Sequence, residues 1–167
     1  MRVAKIVMWG CDYLQKTKPT IYIGYQLKDG ERIEHLLIKK TENGLKRIRL
    51  RAECDKCILG RLIKSSKLVA MPVIIGEKNK RKMIKFIVLY NREIQKLLTK
   101  HREQLVDVEI ISIRRVMLTD RQREVLVLAA NGTGTSPTRI ASKLNISRQA
   151  AQKILYNLVR KLAVIVS

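Results

Sequence analysis

The stretch RIASKLNISRQAAQKILYNLVRKL, residues 139–162, decides the fold of the C-terminal part of the chain. Apolar residues recur at helical spacing on both sides of the segment NIS. Within that segment Asn145 suits a left-handed turn, and Ser147 suits the cap of a following helix. Two helices joined by so short a turn are typical of a helix-turn-helix. The stretch holds no acidic residue, which raises the question of what its basic side contacts.

The residues before this stretch predict one more helix. LTDRQREVLVLAANG places Thr119 three residues before Gln122, the spacing of a capping box, and closes with Asn131-Gly132, a typical helix end. Ser136-Pro137 then favours the start of the next helix. We therefore expect a trihelical domain over residues 115–167.

The last helix divides into two arcs at about 100° per residue. Core positions are expected at Ala151, Ile154, Leu155, Leu158 and Leu162. The opposite arc carries Arg and Gln side chains near the helix start, which suit guanine and adenine edges in the major groove. The predicted DNA-contacting residues are Arg139, Lys143, Ser147, Arg148, Gln149, Gln152, Lys153, Tyr156 and Arg160, with Lys161 as a phosphate-contacting or flanking charge. The alternative is an ordinary solvated face.

The charge balance indicates a polyanionic partner. The 167 residues hold 35 Lys and Arg against 14 Asp and Glu, a formal net charge of +21. A charge of this size destabilises the folded chain by self-repulsion, so it usually indicates a polyanionic partner. A nucleic acid is the first candidate, and an anionic membrane surface is the second. No run of residues is long and apolar enough to predict a membrane span, and no signal-peptide pattern is visible. The odd count of three cysteines argues against a secreted disulfide scaffold. We expect a cytoplasmic, nucleoid-associated protein.

The C-terminal pattern also resembles a known family. LTDRQREVL at 118–126, with the 139–162 stretch, resembles the helix-turn-helix of archaeal bacterio-opsin-activator-type regulators, a module similar to LuxR-type and sigma-factor region-four modules. The matching positions are Leu118, Thr119, Arg121, Gln122, Val125, Leu126, Ile140, Ala141, Leu144, Ile146, Ser147, Arg148, Lys161 and Leu162. The resemblance implies sequence-specific transcription regulation with an N-terminal sensory or dimerising region. Ala150 and Ile154 depart from the family pattern, so its base preference does not transfer.

Residues 1–113 alternate between strand-like and helix-like segments. RVAKIVMW, TIYIGYQL and RIEHLLIKK predict strands, CDKCILGRLIKSS predicts a helix, and KLVAMPVIIG with KMIKFIVLY predicts a hairpin around EKNKRK. NREIQKLLTKHREQL predicts a helix capped by Asn91, and VDVEIISIRRV a last strand. We expect an α+β protein with a ferredoxin-like domain over residues 1–114, although residues 1–53 do not map onto a single strand.

The cysteines leave three interpretations open. Cys54 and Cys57 have the spacing of a zinc half-site or a redox pair, with Cys11 as a third ligand and His35 or His101 as a fourth. Structural thiols at a helix start are the third interpretation. Both histidines otherwise read as surface residues. No nucleophile motif or Gly-rich phosphate loop is visible, so we expect no enzyme and no cofactor, apart from the zinc that the cysteines leave open.

The leading hypothesis is a double-stranded DNA-binding transcription regulator, expected as a homodimer with an unknown small-molecule or redox effector. The alternative is a sequence-independent RNA-binding or nucleoid-associated protein, although few aromatic residues lie on the predicted strands. The C-terminal LAVIVS segment predicts a wing strand, a dimer contact, or a segment that packs back onto the trihelical core.

Overall fold

The computed structural model of the chain describes residues 1–28, 32–52, 57–65 and 67–166. The chain divides into two compact units, Met1–Ile111 and Ser112–Ser167. Unit 1 is rich in strands, and the described part of unit 2 is helical. The protein is therefore a mixed α and β structure whose helices at the C-terminal end form a unit of their own.

Unit 1 contains seven strands and three helices among its described residues. The strands are β1 (Arg2–Trp9), β2 (Ile21–Lys28), β3 (Arg32–Thr41), β4 (Gly44–Ala52), β5 (Leu68–Lys78), β6 (Arg81–Leu89) and β7 (Leu105–Ser112). The helices are α1 (Asp12–Thr17), α2 (Ile58–Lys64) and α3 (Arg92–Lys100). The predicted strands of this region are confirmed, except that the last one ends at Ser112 and residues 113–115 form a 3-10 turn. The helices around residues 58–64 and 92–100 are confirmed as well.

The strands form two sheets, in the orders β5-β6-β1-β7 and β2-β3-β4. In the first sheet β1 and β6 are antiparallel, with Ile6 opposite Phe86. β5 and β6 form the predicted hairpin, which turns at Asn79 and Lys80. Both turn residues have positive φ, 51° and 59°, as a two-residue turn that matches the right-handed strand twist requires.

One apolar core joins the two sheets and the helices of unit 1. Alternate residues of β1 and β6 point into it, because side chains of a strand alternate between the two faces. The buried core residues are Ala4, Ile6, Met8, Leu14, Tyr22, Ile33, Leu37, Ile58, Leu59, Leu62, Ile63, Ile84, Phe86, Val88, Ile94 and Leu98. Asn91 caps α3, since its side chain accepts a hydrogen bond from the Ile94 N–H at 2.9 Å. This cap confirms the prediction.

Two elements of unit 1 were not predicted, α1 and β4. β4 reads GLKRIRLRA, in which cations alternate with apolar residues. It lies at the edge of its sheet, where Ile48 pairs with Leu37 and Leu50 pairs with His35. The cations hid the strand pattern, because an edge strand of a half-solvated antiparallel sheet tolerates them on one face.

Unit 2 consists of α4 (Asp120–Leu128), α5 (Pro137–Leu144) and α6 (Arg148–Val166). A wider helical turn follows α4 and ends at Gly132, whose φ of 86° breaks the helix as predicted. The wing-strand prediction for the C-terminal segment is wrong, because α6 continues without interruption to Val166. Within the described parts of the chain, we find no helix with the length and apolar character that crossing a bilayer requires.

Candidate nucleic-acid interface

The turn between α5 and α6 is formed by three residues. Asn145 lies in the left-handed region at φ 51° and ψ 50°, which Asn tolerates better than most residues. The Ile146 N–H donates to the Ala141 carbonyl at 3.0 Å, which closes α5. The Ser147 hydroxyl accepts from the Ala150 N–H at 3.1 Å, which caps α6. The predicted left-handed stop and N-cap are both confirmed.

A separate apolar core fixes the orientation of α6 within unit 2. Its buried members are Val125, Ile140, Ala141, Ala151 and Leu158. The partly buried members around them are Leu118, Leu144, Ile146, Ile154, Leu155 and Leu162. The five residues predicted for the inner arc of α6 all belong to this core, so the opposite arc is turned away from it.

The residues predicted to contact DNA lie outside this core. Arg139, Lys143, Ser147, Arg148, Gln149, Gln152, Lys153, Tyr156 and Arg160 are all exposed. Four of them, Arg148, Gln149, Gln152 and Lys153, lie on one arc of the first two turns of α6 and are termed the reading surface. They present two cations and two amides, the groups that form bidentate hydrogen bonds with guanine and adenine.

The outer arc of α6 changes character along the helix. Beyond the reading surface it carries Tyr156, Val159, Ala163 and Val166, which we term the apolar stripe. Three of these side chains are about 60% exposed: Tyr156 at 64%, Val159 at 61% and Val166 at 59%. The Arg160 guanidinium lies 5.7 Å from the centroid of the Tyr156 ring, within the range of a cation–π contact. The helix therefore presents a polar first half and an apolar second half on the same side.

Lys161 has a structural role that its sequence position did not reveal. Its ammonium donates to the Met117 carbonyl at 2.6 Å and to Gln122 Oε1 at 2.8 Å. Gln122 is buried and also accepts from the Thr119 N–H at 3.0 Å, which completes the predicted capping box at the start of α4. Lys161 thus ties the end of α6 to the start of α4, and its ammonium is engaged within the unit instead of standing free for a phosphate.

The electrostatic balance of unit 2 is strongly positive. Residues 112–167 contain ten Lys and Arg and two acidic residues, Asp120 and Glu124. Both carboxylates have a partner on α4: Glu124 lies 2.8 Å from Arg121, and Asp120 lies 3.4 Å from Arg123. The charges of α4 therefore cancel, and the net positive charge of unit 2 lies on α5, α6 and the residues before α4. A phosphate backbone is attracted to such a surface.

The comparison with known families agrees with this geometry. Residues 116–165 match the family model described as bacterial regulatory proteins, luxR family. This segment is therefore similar to the helix-turn-helix domain of that family. A domain of this family indicates a DNA-binding transcription regulator, which agrees with the resemblance found in the sequence. The chain matches no curated protein and no solved structure.

Two of the three cysteines of unit 1 line one small cavity. Cys11 and Cys57 are free and half-buried, and both line this cavity together with His35. Of the predicted Cys54 and Cys57 pair, Cys54 lies outside the described residues. Among the described residues no group of three His, Cys, Asp or Glu side chains is arranged to hold a metal ion. Burial raises the pKa of the Cys57 thiol, which disfavours the thiolate that binds metals and reacts.

The surface interpretation of the two histidines is wrong. His35 and His101 are 4% and 8% exposed. His35 Nδ1 lies 2.6 Å from the Tyr22 hydroxyl, inside the core between the sheets. Burial lowers the pKa of His35 to about 4, so its imidazole is neutral at pH 7. Both histidines lie in segments with ordinary strand or helix patterns, and a single sequence gives no signal that separates such positions from surface ones.

Proposed function

We propose that this protein is a sequence-specific regulator of transcription that reads double-stranded DNA with the first two turns of α6. The observation that carries the proposal is the exposed row of Arg148, Gln149, Gln152 and Lys153 on a helix whose opposite arc is held in a core. A recognition helix reads bases with its N-terminal residues, while the preceding helix crosses the phosphate backbone. Arg139 and Lys143 on α5 and Arg160 on α6 then contact phosphates. The protein acts by binding and not by catalysis.

Equilibrium binding to a duplex selected from a random pool, compared with random duplex across a salt series, tests this assignment. Arg148→Ala and Gln152→Ala should each weaken the selected duplex by ~1–3 kcal/mol and relax the preference at one base pair. Lys143→Ala should weaken every duplex to the same extent. For five or six neutralised phosphates the log–log salt slope should be roughly −5.

Arg123→Ala is the matched control, since Arg123 is an exposed cation of unit 2 that pairs with Asp120 on α4. It should leave both the base preference and the affinity near those of the unchanged protein. The recognition-helix assignment fails if Arg148→Ala, Gln152→Ala and Lys143→Ala behave alike. If no duplex binds more than about tenfold better than random, the protein is a sequence-independent nucleic-acid binder of the nucleoid-associated kind.

We further propose that the protein acts as a homodimer through the apolar stripe of α6. Large exposed apolar side chains in one row favour association, and paired half-sites supply the selectivity that one helix-turn-helix lacks. Val159→Asp should shift the sedimenting species to a monomer and weaken binding to a two-half-site duplex. Val127→Asp is the matched control, because Val127 is a 56% exposed valine on α4 outside the stripe. If both variants change the sedimenting species and the duplex binding equally, the apolar stripe is not the dimer interface.

Unit 1 is proposed as the sensory or dimerising domain of a ferredoxin-like type. The strand order β5-β6-β1-β7 supports this, with α2 and α3 as the two crossovers and with α1 and β2 to β4 inserted after β1. The family type implied by the sequence resemblance, an archaeal bacterio-opsin-activator-type regulator with a small-molecule or redox effector, remains part of this proposal. So does a location in the cytoplasm with the DNA.

A further inference from the structure

A group of cations lies at the end of the hairpin that β3 and β4 form in unit 1. Residues 39–47, termed the basic hairpin, contain four cations and one acidic residue, a formal charge of +3. The cations are Lys39, Lys40, Lys46 and Arg47, and the acid is Glu42. Lys39 is half-buried, and the other three cations are exposed. This group belongs to unit 1 and is therefore separate from the helix-turn-helix.

The basic hairpin extends beyond the third strand of its sheet. The pairing of β2 with β3 ends where Ile21 lies opposite Ile38, whereas β3 and β4 stay paired as far as Thr41 opposite Gly44. The end of the hairpin is therefore a two-stranded antiparallel ribbon. Such a ribbon presents side chains on two faces, and it is narrow enough for the major groove of B-DNA, which is roughly 12 Å wide.

The charge of the basic hairpin is not neutralised by its sheet. Within the described parts of the chain, no hydrogen bond or ion pair engages the side-chain nitrogens of its four cations. β4 contains no acidic residue. The acidic residue of β3, Glu34, is 3% exposed, and its carboxylate lies 3.6 Å from Lys28 Nζ and 3.3 Å from Arg51 Nε. The basic hairpin therefore attracts polyanions.

The placement of these cations opposes the stability of the hairpin itself. Lys39 lies directly opposite Lys46. Residues opposite each other in an antiparallel pair have their Cβ atoms ~4.5–5.5 Å apart, and like charges there are destabilising. Charges on β4 also protect an edge strand from pairing with other chains. That protection does not account for Lys39 and Lys40, because β3 is the central strand of its sheet. The charges are better explained by a partner.

From these observations we propose that the basic hairpin is a second DNA-contacting element, which binds phosphates of the duplex backbone. The match of residues 116–165 makes duplex DNA the polyanion that this chain meets. Arg47 binds phosphate oxygens in a bidentate pair, and the lysines bind them as point charges. Phosphate contacts do not read bases, so the hairpin adds affinity for every sequence alike. The inference rests on the proposed function, because it takes duplex DNA as its ligand.

An anionic membrane surface fits the basic hairpin less well than DNA does. Binding at a membrane interface scales with the apolar area that enters it, in addition to the attraction of charges. Leu45, which is 70% exposed, is the one apolar side chain among residues 39–47. One leucine supplies little apolar area, whereas the four cations match a phosphate backbone.

The first experiment is equilibrium binding of the full chain to the selected and the random duplex across a salt series. The triple variant Lys39→Gln, Lys46→Gln, Arg47→Gln should bind both duplexes more weakly by the same factor, about tenfold or more. Its log–log salt slope should be about 2–3 shallower than that of the unchanged protein, since each phosphate contact contributes ~0.9. The preference between the two duplexes should not change.

The matched control removes the same charge from another exposed surface of unit 1. The triple variant Arg92→Gln, Lys96→Gln, Lys100→Gln changes three exposed cations of α3. It should bind both duplexes nearly as the unchanged protein does. The free proteins are also compared by urea unfolding followed by Trp9 fluorescence. The hairpin variant should have a midpoint no lower than that of the unchanged protein, because it removes the like charges of Lys39 and Lys46.

The proposal is overturned if the hairpin variant keeps the affinity and salt slope of the unchanged protein, or if the α3 variant weakens binding as much as the hairpin variant does. A lower urea midpoint of the hairpin variant would show that the cations stabilise the fold, which also contradicts the proposal. Vesicles of phosphatidylcholine and phosphatidylserine test the membrane alternative by cosedimentation. If the hairpin variant loses vesicle binding and keeps duplex binding, the hairpin is a membrane contact.

Failure of this proposal is distinguishable from failure of the proposed function. If Arg148→Ala relaxes the base preference while the hairpin variant binds both duplexes as the unchanged protein does, the hairpin proposal alone is wrong. If the unchanged protein binds no duplex, the proposed function is wrong, and the hairpin proposal is wrong with it.

Discussion

Acidification from pH 7 to pH 5 should destabilise unit 1 by about 2 kcal/mol through one buried side chain, His35. Burial lowers the pKa of this imidazole from its usual value of 6.5 to about 4. The unfolded chain therefore binds a proton between pH 6.5 and pH 4 that the folded chain does not, and the free energy of unfolding falls as the pH falls through this window. Over the full window the loss approaches about 3 kcal/mol, since each pKa unit corresponds to ~1.4 kcal/mol.

The assay is urea unfolding followed by tryptophan fluorescence. Trp9 is the one tryptophan of the chain and lies in β1, so its emission reports unit 1 and not unit 2. The Arg81 guanidinium lies 4.9 Å from the centroid of its ring, a contact that unfolding removes. The slope of the free energy of unfolding against urea concentration should be equal at pH 7 and pH 5. Equal slopes show that unfolding exposes the same surface area at both pH values.

The control removes the buried polar pair as a whole. In the double variant Tyr22→Phe with His35→Leu, both partners of the 2.6 Å contact become apolar, which costs far less than leaving one of them unpaired. The drop between pH 7 and pH 5 should then nearly disappear. The reasoning is refuted if the unchanged protein loses less than about 0.5 kcal/mol, or if the double variant loses as much as the unchanged protein does.

Three further predictions concern unit 2 and are read by far-ultraviolet circular dichroism during thermal unfolding. Ile140→Ala should cost ~2–5 kcal/mol, because Ile140 is fully buried in the trihelical core; a cost below about 1 kcal/mol would contradict that packing. Asn145→Gly should be nearly neutral and Asn145→Ala should cost about 1 kcal/mol, since φ is 51° there; the reverse order would exclude the left-handed turn. Lys161→Met should cost ~1.5–3 kcal/mol by removing the charged hydrogen bonds to Met117 and Gln122, and an unchanged melting temperature would refute that structural role.

The local signals of the helix-turn-helix could be read from the sequence because each rests on neighbours along the chain. The capping box of Thr119 and Gln122, the left-handed Asn145 and the cap at Ser147 depend on contacts three or four residues apart. The inner arc of α6 follows from a period of 3.6 residues in the same way. These features also located the candidate reading surface, because the arc opposite to a core is the exposed one.

Features that depend on distant pairs were decided only by the tertiary structure. A neutral His35 in the core follows from β3 lying between β2 and β4, and no local pattern distinguishes it from a surface strand position. In the sequence, Lys161 is one more cation of a basic helix. In the structure its ammonium lies at the start of α4 and donates to Gln122, which is 39 residues away along the chain. Sequence alone determined the three helices of unit 2 and which arc of α6 is exposed, because short-range sterics and periodicity dictate both. Which charges are bound internally was set by packing, since that depends on segments that only the folded chain brings together.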